Sequence, residues 1–102
     1  MKNILLVCAA GMSTSMLVKK MREHAEAENI TSTIYALAIS EAKEQIKKQE
    51  VDVVLLGPQV RFQQREIEAI AQGKMPVAVI DMKSYGQMDG KAVLEQALRL
   101  FH

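Results

Sequence analysis

The chain has one cysteine, no tryptophan, two prolines and only 4% aromatic residues. A single cysteine excludes an internal disulfide, so the thiol is either buried and inert or chemically used. Four aromatic side chains, two Tyr and two Phe, suit a flavin or dinucleotide site poorly. Charge of one sign is also lacking. Thirteen Lys and Arg stand against twelve Asp and Glu, without the basic excess that a nucleic-acid partner favours. No apolar run approaches the roughly 18 residues of a membrane span. The run Ile4 to Ala10, preceded by Lys2, is at the short limit of a signal-peptide core. Val7 is too large for the residue before a lipoprotein cysteine. The segment therefore reads as a buried strand, and the protein as cytoplasmic. His24 and His102 lack partners at ligand spacing, so neither a metal nor another cofactor is expected.

What is present fits one domain over 1–102, with 49% apolar residues to build its core. Ile4-Leu5-Leu6-Val7 is a continuous apolar run, as in a parallel strand covered on both faces. Helical spacing follows from Met16, with Leu17, Met21 and Ala25 inward, and ends near Asn29. A second strand is expected at about Thr33 to Leu37, then a helix capped by Ser40 and running to Gln49. A third strand, Val53 to Leu56, stops at Gly57-Pro58. A helix over about Val60 to Gln72 turns Ile67, Ile70 and Ala71 inward and ends before Gly73. A fourth strand runs from Val77 to Ile80. A loop over Asp81 to Gly90 leads to a last helix capped by Asp89, with Val93, Leu94, Ala97, Leu98 and Phe101 on its apolar face. Strand–helix alternation implies an α/β fold: a four-stranded parallel sheet, order 2-1-3-4, with helices on both faces.

Such sheets bind ligands beyond the carboxyl ends of their strands, where the order reverses. That point lies between the first and third strands. Three loops converge on it: Cys8 to Ser15, Gly57 to Gln59, and Asp81 to Gly90. Cys8 ends the first strand there. Ala9, Ala10 and Gly11 are small enough for backbone to close around an anion. A helix N-terminus supplies N–H groups and positive potential. Met12 contributes backbone, and Ser13, Thr14 and Ser15 add hydroxyls. The same potential favours a thiolate. The loop resembles the phosphatase type, with a difference. Low-molecular-weight tyrosine phosphatases place Arg six residues after the nucleophilic Cys, and an Asp-Pro pair elsewhere. Here the first position is Thr14, and Asp81 is followed by Met82. Without a bidentate clamp or an acid, hydrolysis should be slow.

The blocks Cys8-Ala9-Ala10-Gly11-Met12-Ser13-Thr14-Ser15, Val53-Val54-Leu55-Leu56-Gly57-Pro58-Gln59 and Tyr85-Gly86-Gln87-Met88-Asp89-Gly90 together resemble one family. It is the enzyme IIB components of the bacterial sugar phosphotransferase system, lactose/cellobiose/diacetylchitobiose type. The resemblance covers essentially the whole chain. It implies that Cys8 accepts a phosphoryl group from a histidine of enzyme IIA. Cys8 then passes it to a sugar held by the membrane enzyme IIC, a beta-linked disaccharide such as cellobiose, chitobiose or lactose. In these terms the chain is a protein-phosphocysteine–sugar phosphotransferase, and Ala9 to Ser15 form the phosphate loop.

Other residues carry two readings each. Gln59 and Tyr85 are possible rim or partner contacts, or a helix start and a packing group. Asp89 reads as a cap before an acid. Arg61 and Arg65 either steer a partner or form a solvated face. Two further functions stay open: a phosphatase or arsenate reductase, and a non-catalytic module with a structural thiol. A monomer is expected.

Overall fold

A computed structural model describes residues 2–9 and 14–101. The elements run β1 (Lys2–Cys8), α1 (Ser15–Ala27), β2 (Ser32–Ala38), α2 (Ile39–Lys47), β3 (Val53–Leu56), a 3-10 segment (Pro58–Gln63), α3 (Gln64–Ala71), β4 (Val77–Val79), α4 (Met82–Gly86) and α5 (Gly90–Arg99). The sheet is parallel, in the order β2-β1-β3-β4, as the alternation of elements requires.

Side chains of a strand alternate between faces, and the core divides accordingly. Ile4, Leu6, Val53 and Leu55 face α1 and α5, meeting Leu17, Met21, Val93, Leu94 and Ala97. Leu5, Val7, Val54 and Leu56 face the other way, onto Ala42, Ile46, Val60, Ile67 and Ala71. All four central residues of β1 from Ile4 to Val7 are 0% exposed. An apolar run without alternation is what burial on both faces demands.

The helices depart from expectation in three places. Ser40 is not the cap of α2, which starts one residue earlier at Ile39 with Ala38 as its N-cap. β2 runs on to Ala38, so strand passes directly into helix and leaves no capping position for Ser40. The helix expected from Val60 begins instead as the 3-10 segment, with Pro58 at its start and a kink at Val60 (φ −118°, ψ 19°). Pro lacks an N–H and fits a first turn, where none is needed. α3 then ends on Gln72 in the left-handed region (φ 52°), with Gly73 also at positive φ. The loop over 81–90 contains α4, too short for a periodic signal. Asp81 caps it, accepting from the Ser84 N–H at 3.0 Å and the Ser84 hydroxyl at 3.1 Å.

Two close contacts fix the end of the fold nearest α5. Asp89 caps α5 by accepting from the Ala92 N–H at 3.0 Å. Gly90 lies against α1 so tightly that a Cβ there would stand 2.7 Å from Lys20 and Met21 backbone atoms. Beside the sheet edge, the Gln96 amide donates to the Val79 carbonyl at 2.9 Å and accepts from the Asp81 N–H at 3.2 Å. On the opposite edge, Arg22 Nε donates to the Ile34 carbonyl at 2.7 Å.

Gly90→Ala should push α5 off α1 and cost roughly 1–3 kcal/mol, read as a fall in Tm. Gly86→Ala, with open space around its would-be Cβ, should leave Tm unchanged or slightly raised. The Asp81 carboxyl is held below its ordinary value, first by the Ser84 backbone N–H and then by the Ser84 hydroxyl. A depressed value means that this cap contributes stability above about pH 4 and loses it as pH falls through the lowered value. NMR titration of the Asp81 carboxyl should show the low midpoint, and Ser84→Ala should raise it part of the way.

Candidate functional site

Cys8 is the last residue of β1, paired in register with Ala38 of β2. Its side chain is 2% exposed. On one side the thiol lies 3.6 Å from the Leu37 carbonyl, to which it donates. On the other, the Thr14 hydroxyl donates to Sγ at 3.3 Å. Among the described residues no carboxylate, imidazole or cation bonds to the sulfur.

The expected phosphate loop is described at its two ends. Ala9 is an exposed bend directly after β1. Ala10, Gly11, Met12 and Ser13 lie outside the described residues. Thr14 is the N-cap residue of α1, and its carbonyl accepts from the Val18 N–H at 2.9 Å. Ser15 is the first residue of α1 and is exposed. The helix therefore starts seven residues beyond Cys8, pointing its N-terminus at the carboxyl edge of the sheet. That orientation supplies N–H groups and positive potential on the side where Cys8 sits.

The other two loops reach the same edge. Gly57 donates its N–H to the Val7 carbonyl at 2.9 Å, drawing the chain after β3 against the residue before Cys8. A Cβ on Gly57 would stand 3.3 Å from the Val7 carbonyl oxygen and from Gln59 Oε1. Tyr85 packs into the core at 8% exposure, with its ring beside Gly57. Gln59 is exposed. Gln59 and Tyr85 line a shallow depression with Pro58, Arg61, Phe62 and Met82. Arg65 is exposed but does not line it.

Several sequence candidates are occupied elsewhere. Asp81 and Asp89 hold helix starts. His24 pairs with Glu28 at 3.5 Å along α1. Among the described residues no group of three potential ligands could hold a metal. No described helix is long and apolar enough to cross a membrane. The Leu37 carbonyl beside the thiol was not visible from residue types, since it follows from strand register. Nor does the sequence alone say that the Thr14 hydroxyl aims at sulfur.

The exposed large apolar side chains among the described residues are Met16, Phe62 and Met82, at 52%, 75% and 60%. Phe62 and Met82 line the depression beside Gln59 and Tyr85, and Met16 is the second residue of α1.

Comparison with known proteins matches this architecture to one group. The chain is 48% identical over 98% of its length to the phosphotransferase system (PTS) oligo-beta-mannoside-specific EIIB component of Bacillus subtilis, covering 96% of that protein. It is 39% identical over 99% of its length to the PTS cellobiose-specific EIIB component of Lactococcus lactis, covering 97% of it. The solution structure of a cellobiose-specific phosphotransferase IIB component from Borrelia burgdorferi superposes with a TM-score of 0.80 at 44% identity, over 98% of this chain and 91% of that one. The lactose-specific IIB domain of Streptococcus pneumoniae shares the fold, with a TM-score of 0.86 at 18% identity over 99% and 98% of the two chains. The family model for the PTS lactose/cellobiose-specific IIB subunit matches residues 3–96, and the chain belongs to that family.

Proposed function

We infer that the chain is a phosphocarrier, in which Cys8 takes a phosphoryl group from a histidine of enzyme IIA and delivers it to a sugar on enzyme IIC. The observation that carries this reading is the thiol at the carboxyl end of β1, facing a helix N-terminus, with no acid or base bonded to it among the described residues. In the first step the Cys8 thiol gives up its proton to water, and the thiolate lone pair attacks phosphorus. The S–P bond forms as the N–P bond breaks, and its electron pair returns to the imidazole nitrogen. In the second step the sugar hydroxyl oxygen forms the O–P bond. The S–P pair stays on sulfur, and the hydroxyl proton leaves on the acceptor side. Loop N–H groups over Ala9 to Ser15 would hold the phosphoryl oxygens during both steps.

The chemistry requires a partner to cover the Cys8 edge, because the reacting atoms must come within roughly 3–3.5 Å. Met16, Phe62 and Met82 supply apolar contact there, and Arg61 a positive charge. Names of relatives, oligo-beta-mannoside and cellobiose among them, favour a beta-linked disaccharide as the final acceptor. In this reading the 102 residues act as one monomeric domain in the cytoplasm, meeting the inner face of the membrane through enzyme IIC.

Incubation with phosphorylated enzyme IIA should add one phosphoryl group by intact mass. The group should be lost on treatment with iodine and absent from Cys8→Ser. No gain with any IIA donor would overturn the reading. Turnover of a chromogenic phosphate ester would instead mark a phosphatase. Phe62→Ser should slow the transfer roughly tenfold with little change in Tm, since that side chain is mostly exposed.

A further inference from the structure

We propose that Thr14 serves the sulfur rather than the phosphoryl group: its hydroxyl stabilises the Cys8 thiolate as leaving group, and so sets how readily Cys8 gives the phosphoryl group up. The assignment rests on the phosphocarrier reading for its role, and on three features of the site for its geometry.

First, the hydroxyl points at Sγ at 3.3 Å. Second, Thr14 stands at the N-cap of α1, where a threonine ordinarily bonds a backbone N–H of the first turn. It makes no such bond, and its backbone is in the right-handed helical region (φ −95°, ψ −9°) rather than the extended one. The hydroxyl is turned away from the helix toward the thiol. Third, Thr14 is 0% exposed, the only residue with a hydroxyl other than Tyr85 to be buried among the described residues. A polar group is costly to bury unless it is bonded.

The carbonyl of Leu37, 3.6 Å from Sγ, makes the donor necessary. It accepts from a thiol, but it faces a thiolate with its own negative end. When the phosphoryl group departs, the S–P bond breaks and its electron pair stays on sulfur. The sulfur goes from nearly neutral to fully anionic. A hydrogen bond to a charged acceptor is stronger than one to a neutral acceptor. A donor aimed at sulfur therefore favours departure. A donor aimed at a phosphoryl oxygen would do the reverse and hold the phosphorylated form. The sign of the effect separates the two roles.

The test compares the natural chain with Thr14→Val, which keeps the shape, and Thr14→Ser, which keeps the hydroxyl. Each is equilibrated with phosphorylated enzyme IIA at pH 9.5, and the ratio of phosphocysteine to phosphohistidine is read by intact mass. Thr14→Val should raise that ratio by about tenfold and slow return of the group to IIA, while Thr14→Ser stays near the natural chain. A lowered or unchanged ratio in Thr14→Val would overturn the assignment, because a phosphate-holding or merely structural residue cannot raise it. Thr14→Ala repeats the comparison if valine disturbs α1, with folding followed by circular dichroism. A second arm needs no phosphoryl donor. Iodoacetamide should alkylate Cys8 about tenfold more slowly at pH 7 in Thr14→Val, and at the natural rate in Thr14→Ser. If no variant accepts a phosphoryl group, the carrier reading fails. The alkylation rates then decide the hydroxyl–sulfur assignment, and equal rates overturn it.

Discussion

β1 is paired on both edges and covered on both faces, and the remaining elements are arranged around it. β2 and β3 bond to its two sides. Ile4 and Leu6 enter one half of the core, and Leu5 and Val7 the other. A strand held in this way has a fixed end, and Cys8 is that end. The thiol's position is therefore set by the most buried part of the molecule rather than by a loop.

Around that fixed atom, among the described residues, stand dipoles rather than charged side chains. A helix N-terminus and a hydroxyl face the sulfur edge, while the carboxylates nearest in the sequence of loops, Asp81 and Asp89, are bound to the starts of α4 and α5. Preorganised dipoles stabilise charge where it develops, and among the described residues no acid or base is bonded to Sγ.

The fold was legible because its signals were strong. Apolar runs at Ile4–Val7 and Val53–Leu56 can be satisfied only by burial on both faces, and Leu17, Met21 and Ala25 mark one side of a helix. The place of Cys8 at the carboxyl end of the first strand was legible for the same reason. Finer features were not. The 3-10 start at Pro58 and the five-residue α4 are too short for periodicity to reveal. Ser40 misled because a hydroxyl before a helical stretch reads as a cap whether or not a strand runs into that helix directly. Gly90 belongs to a block that resembles the family, and its structural role is a close approach of two helices. Shared residues in a loop near a site can mark packing as well as chemistry.

The amide of Gln96 does at the β4 edge what a neighbouring strand would do. In a parallel ladder, a residue donates to one carbonyl and accepts from the N–H two positions later. Gln96 donates to Val79 and accepts from Asp81, occupying the place opposite Ile80. The outer side of β4 is thereby closed to a fifth strand at that position. An open edge is a template for pairing with another chain and a route to aggregation. A single side chain on α5 thus restrains the sheet from being extended sideways at Ile80 by a copy of itself.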